Sequence, residues 1–147
     1  MRKSFYISLF FIYGTFIASS QLQLTWDDFA DVSFEPKYNS VYEMDFLTPV
    51  FGDQIQLFRG KEVEIIGYFL DLSGNGEIFL VSRNPMDTCF FCGTAGPETI
   101  IEVEFKENPS FKTDQIVLVR GVLELNDDDV EHCNYILKDA AGELMEY

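Results

Sequence analysis

Cys89 and Cys92, two residues apart, and the adjacent pair His132-Cys133 are the side chains whose types and spacing could do chemistry in this chain. Paired thiolates at that spacing chelate borderline and soft metals, so Cys89, Cys92, His132 and Cys133 could together offer four ligands to zinc or copper. Neighbouring side chains at a strand start point to opposite faces, which makes joint ligation by His132 and Cys133 awkward. The same cysteine pair could instead close a small disulfide, which an oxidising compartment favours and which would stiffen the loop without doing chemistry. Thiol exchange needs a helix N-terminus or a neighbouring cation to lower one thiol pKa. Pro85, acidic Asp87 and Gly93 supply neither, and no βαβ pattern surrounds the motif. Haem attachment needs a histidine directly after the second cysteine, where Gly93 stands. Phe90 and Phe91 lie between the thiols, and with Gly93 they form a candidate contact surface, since adjacent exposed rings on a stiff loop make a good hot spot.

Other chemistries lack parts. His132 is the single histidine, no Gly-x-Ser-x-Gly elbow occurs and no glycine loop could cradle phosphate, so no catalytic constellation and no firm cofactor is read. The run Asp71-Leu72-Ser73-Gly74-Asn75-Gly76 imitates the opening of a calcium loop, but its twelfth position is Ser82 rather than a bidentate glutamate. Asn126-Asp127-Asp128-Asp129, with Glu131 close by, could hold a cation loosely or form a solvated turn; the glycine of a calcium loop is missing.

The 147 residues carry 25 acidic and 10 basic side chains, a net charge of −15. So negative a field repels phosphate backbones and anionic membrane surfaces, which argues against nucleic acid as a partner and favours cationic partners or simple solubility. Arg2 and Lys3, an uncharged run from Phe5 to Ile17, and small Ala18, Ser19 and Ser20 follow the order of a secretory leader over residues 1–20, with a preferred cut before Gln21. The apolar run is short for a bilayer span, so no integral membrane segment is expected after cleavage. The remainder suits one exported domain, periplasmic or secreted.

Residues 21–58 read as an N-terminal arm. Thr25 can cap a short helix whose first turn holds Asp27 and Asp28, and Pro36 and Pro49 forbid a longer one. Phe34, Tyr38, Tyr42, Phe46, Phe51 and Phe58 are expected to pack an extended arm onto the domain. From residue 59 to 147 the texture is β. Val63, Ile65, Gly67 and Phe69 alternate along the first strand, and Ser73-Gly74-Asn75-Gly76 turns into a second over Glu77 to Ser82. Thr99 to Phe105 is a third, Gln115 to Leu125 a long fourth with a bulge or bend at Gly121, and Asn134 to Lys138 a fifth before an acidic tail. The loop Asn84 to Pro97 is long enough to be functional.

Five strands with a glycine-bent long member and no αβ alternation predict a mainly β fold, a small five-stranded barrel that resembles an OB-fold. Ile116 to Glu124 followed by Tyr135 to Asp139 is especially similar to the last two strands of such domains. Taken together, Leu24-Thr25-Trp26, Gly60 to Tyr68, Phe79 to Ser82 and Cys89-Phe90-Phe91-Cys92-Gly93 resemble a family of exported bacterial proteins of unassigned function with an OB-like barrel. Its Cys-Phe-Phe-Cys-Gly members occur in the Bacteroidota. Many relatives place a proline-rich stretch after the first loop cysteine, whereas here Thr94 to Pro97 follow the second. The resemblance implies a periplasmic accessory or binding module serving an envelope transport or assembly system, its partner an envelope protein or small ligand. The alternative from another class is a metal-binding or metal-delivery protein using Cys89, Cys92 and His132.

Overall fold

The computed structural model describes residues 22–72, 74 and 78–146. The leader segment with its cut before Gln21 lies outside the described residues, and of the turn at 73–76 only Gly74 is described, at φ +65° with its N–H donating to Asp71 Oδ1 at 2.8 Å. Among the described residues eight strands form: β1 (Leu22–Gln23), β2 (Val32–Asn39), β3 (Met44–Phe51), β4 (Glu62–Asp71), β5 (Phe79–Ser82), β6 (Ile100–Phe105), β7 (Ile116–Leu125) and β8 (Tyr135–Leu144). Two one-turn helices join them, α1 (Trp26–Phe29) and α2 (Asp53–Gln56).

The alternation along β4 sends Val63, Ile65 and Phe69 inward, where they meet Val81, Ile101, Val103, Val117, Val119, Leu123 and Leu137 in one buried core. The strands that carry these residues run β4-β5-β6-β8-β7, and β7 pairs back onto β4. β6 and β8 are parallel and the other four pairings antiparallel. The result is the expected mainly β, closed five-stranded OB-like barrel.

β4 changes partner along its length. Glu62 to Tyr68 pair with β7, while β5 joins only from Tyr68 onward. The N-terminal segment covers the edge that β5 does not reach: Leu22 and Gln23 pair in parallel with Val63 and Glu64, Leu24 N donates to Glu64 O at 2.8 Å, and Trp26 Nε1 donates to Ile66 O at 2.9 Å. Gly67 sits at the handover, where a Cβ would lie 2.6 Å from the Ser82 carbonyl oxygen and 2.9 Å from Trp26 Cζ2. Opposite one another on β4 and β7, Glu64 and Arg120 form an ion pair in which the guanidinium Nε–H donates to Glu64 Oε1 at 2.7 Å.

Gly121 does mark a bulge, but the extra residue belongs to β8. Arg120 faces Ala141 and Val122 faces Lys138, so one residue of β7, Gly121, lies opposite two of β8, Asp139 and Ala140, and Asp139 takes the left-handed conformation at φ 53°. The bulge corrects the reading of an acidic tail after Lys138. β8 continues to Leu144 because the shifted register lets its second half pair with β7 back to Val117. In the sequence the bulge breaks the alternation and hides the continuation.

The arm also departs from its expected form. Thr25 does open α1, with the Asp28 carboxylate accepting from the Thr25 N–H at 2.7 Å and hydroxyl at 2.8 Å. Beyond it the chain is a hairpin, β2 on β3, and a second helix follows whose Gln54 and Ile55 amides donate to Asp31 Oδ2. Pro36 and Pro49 fit the hairpin because a two-stranded ribbon has outer edges where a missing N–H costs no ladder bond. Of the expected anchors Phe51 is buried, Phe34, Phe46 and Phe58 are half-buried, and Tyr38 and Tyr42 are exposed. The main dock is instead Tyr135 of β8, edge-on to Phe29 and Phe51 and donating its hydroxyl to the Phe29 carbonyl at 2.7 Å.

Candidate functional site

β4 and β5 are apolar on both faces at one place. Phe69 and Val81 point into the barrel, and their neighbours Leu70 and Leu80, cross-strand partners, point out yet are fully buried. The loop between β5 and β6 covers them. It descends through short 3-10 turns at Met86–Thr88 and Phe90–Cys92, and Cys89 packs between these turns onto Leu70 and Leu80, with Met86 and Cys133 closing around it. Gly93 ends the second turn at φ +75°. Thr94 Oγ1 donates to the Thr88 carbonyl at 2.7 Å, and Met86 N donates to Asp114 Oδ1 at 2.7 Å, so both sides of the loop are tied down.

Fixing Cys89 inward places Phe90 half-buried and Phe91 half-exposed, with 52% of its surface open to solvent. The two rings stack edge to face at 5.3 Å and form one wall of a groove of about 580 Å³. Its floor is the outer face of β5 and β6 at Leu80, Ile100 and Glu102. Leu72 and Ile78 close one end, Leu47 of the arm hairpin overhangs it, and Val130 to Asn134 form the opposite wall. Leu47, Leu72, Ile78, Phe91 and Val130 are all exposed apolar side chains, and they converge here. Gly93 shapes the loop but does not line the groove.

The opposite wall is organised by Asn126. Its buried side-chain N–H groups donate to the carbonyls of Asp129 at 2.7 Å and Cys133 at 3.2 Å, while its Oδ1 accepts from the Asp129 amide at 3.0 Å. The acidic run is therefore a turn built around an asparagine, with Asp127 and Asp128 exposed and Asp129, also exposed, accepting from the Glu131 amide at 3.0 Å. Asn126→Ala leaves those buried groups unpartnered and should cost roughly 2 kcal/mol, read as a lower urea midpoint at an unchanged slope. Glu131, in the same wall, accepts from the Tyr42 hydroxyl at 2.6 Å and holds that phenol above its ordinary pKa, joining the hairpin tip to the loop.

Glu102 links floor and wall. Its Oε1 lies 2.8 Å from His132 Nδ1, and its Oε2 accepts from the Cys133 amide at 3.0 Å. The hydrogen bond to Glu102, then its charge, raises the His132 pKa above the ordinary value. A raised histidine pKa adds stability that is complete below the unfolded value near 6.5 and lost as pH rises through the folded value. Since the ring is 47% exposed, solvent screening holds this contribution below about 1 kcal/mol. In an NMR titration of the imidazole, Glu102→Gln should bring the pKa down towards about 6.5; an unmoved value would remove Glu102 as the cause.

The four residues read as possible metal ligands do not assemble. Among the described residues no group of three or more His, Cys, Asp or Glu side chains is placed to hold a metal ion. Cys89 faces the apolar cluster, Cys92 is exposed and donates its thiol to the Met86 carbonyl at 3.1 Å, and His132 faces Glu102. All three cysteines are free thiols in this structure. Burial pushes the Cys133 thiol up to about 12, with the Glu102 charge adding to the shift. Desolvation and then Cys89 raise Cys92 as well. Neither is an activated thiolate, the species that thiol exchange requires.

The sequence did contain a signal for the groove. Phe69-Leu70 and Leu80-Val81 put apolar residues on both faces of paired strands, and a covering layer is the way to bury the outer set. The role of Glu102 carries no such signal, because it depends on the loop before β8 meeting β6 from 30 positions away, whereas Asn126 acts within its own loop. Comparison with protein-family models and with curated proteins finds no match to this chain, so what the groove can bind follows from its geometry.

Proposed function

We propose that this protein is an exported binding module, periplasmic in location, that holds an envelope protein or small ligand in the groove between the Cys-Phe-Phe-Cys loop and residues 126–134. The observation that carries this reading is the convergence of five exposed apolar side chains on one concave face. That face consists of the second and third barrel strands flanked by the loops after the first and fourth, the surface on which OB-like barrels take ligands. A volume of about 580 Å³ suits a small ligand or a few side chains of a partner. The leader-like start of the chain and its resemblance to exported bacterial proteins support the location. In an oxidising compartment Cys89 and Cys92 could close a disulfide once Cys92 leaves the Met86 carbonyl, locking the loop that presents Phe91.

Two measurements test this. Protein recovered from cells expressing the full chain should sit in the envelope fraction with its N-terminus within a few residues of Gln21. The neutral dye Nile red should bind that protein with a blue-shifted emission, and the double variant Leu47→Asp, Phe91→Asp should weaken binding about tenfold or more while keeping the parent's circular dichroism. Retention of Met1 in a cytosolic protein would overturn the location. Equal dye binding by parent and variant would overturn the site.

A further inference from the structure

The groove continues past Leu47 and Val130 into a second recess, and both recesses share Leu47, Val130, His132 and Asn134. The second is lined by the exposed residues Asp127, Asp128 and Asp129, and Glu131 lines the groove itself. No Lys or Arg lines either recess among the described residues. Glu102 is engaged by His132 and the Cys133 amide, Glu131 accepts from the Tyr42 hydroxyl and Asp129 from the Glu131 amide, so the negative charge most open to an occupant in the 127–131 wall is that of Asp127 and Asp128.

From this charge distribution we infer that the groove's occupant is a segment of a partner protein in which apolar side chains alternate with Lys or Arg. This inference rests on the groove being the binding site, and it adds the chemistry of what binds. Apolar side chains enter against Phe90, Phe91, Leu72 and Ile78, and the cationic ones lie over the 127–131 wall. An acidic or purely apolar segment gains the first contacts without the second. An acidic one is also repelled by a chain of net charge −15. The 127–131 wall is preorganised for such a role because Asn126 fixes the loop backbone from beneath.

Three hexapeptides test the inference, each with Leu, Trp and Leu at alternate positions and with Lys, Ser or Glu between them. Titrated into the full-chain product by tryptophan anisotropy, the Lys peptide should bind about tenfold or more tighter than the Ser peptide, and the Glu peptide weakest. Raising salt from about 50 mM to about 500 mM should remove most of the Lys advantage. A variant carrying Asp127→Asn and Asp128→Asn, whose side chains line the second recess and not the apolar groove, should remove most of the Lys advantage over the Ser peptide while leaving Nile red binding unchanged. If the Lys and Ser peptides bind the parent equally, or if the double variant keeps the full Lys advantage, the inference is overturned although the groove still binds. If no peptide binds while Nile red does, the occupant is not a peptide and the inference falls. Loss of dye binding by the parent itself would instead overturn the site.

Discussion

Tyr135→Ala should lower stability by about 4 kcal/mol and weaken binding in the groove at the same time. The side chain is fully buried at the start of β8, and its ring meets Phe29 at 4.9 Å and Phe51 at 5.4 Å, both tilted edge to face. Its removal leaves a cavity between the barrel and the arm, with the Phe29 carbonyl deprived of its donor. Because Phe51 ends the strand that carries Leu47, loosening this dock frees the overhang of the groove as well. Tyr135→Phe separates the two effects. It keeps the rings packed and should cost about 1 to 2 kcal/mol for the lost hydrogen bond, with dye binding intact. Urea unfolding of both variants reads the costs; similar losses for Ala and Phe would mean that ring packing does not dock the arm.

Gly67→Val should cost about 3 kcal/mol or more. The obstacle is backbone: a Cβ at Gly67 would stand 2.6 Å from the Ser82 carbonyl and 2.6 Å from Val81 Cγ1, where β5 begins to pair. Relief requires β5 to move away from β4, or Trp26 to leave its hydrogen bond to the Ile66 carbonyl and expose the edge that it covers. Gly67→Ala carries the same clash with less bulk beyond it and should fall between the parent and the valine variant. The sharpest reading is tryptophan fluorescence, since Trp26 is the single tryptophan and should redden in Gly67→Val before global unfolding. A valine variant with the parent's emission and urea midpoint would show that β4 and β5 do not approach as closely as described.

These two residues show how unevenly the fold can be read from its sequence. Val63, Ile65 and Phe69 announce their strand by period alone, and Gly121 marks an irregular position because a glycine inside a long apolar strand weakens it without some compensating contact. Gly67 sits within a regular alternation and passes as one more inward position; its need for a missing side chain appears only when Trp26, from 41 residues earlier, is laid against it. Tyr135 likewise reads as a strand residue, while its partners come from an arm whose hairpin was obscured by Pro36 and Pro49. The candidate site follows the same division. The Cys-Phe-Phe-Cys loop is visible as a cluster of unusual residues, and its phenylalanines do line the groove. Its cysteines suggested ligands because sequence shows spacing but not direction. Cys89 points into an apolar cluster, and His132 is directed by Glu102, 30 positions away.

The groove reading meets its most direct test in cells that naturally make this protein. A photo-crosslinking amino acid placed at Phe91 lies in the groove, and one at Leu144, also exposed, lies on the last strand away from it. On irradiation the position-91 protein should yield a discrete adduct, lost in the Leu47→Asp background, and the position-144 protein should yield none. An adduct from position 144 alone, or one from position 91 that survives Leu47→Asp, would contradict the assignment of the binding surface to this groove.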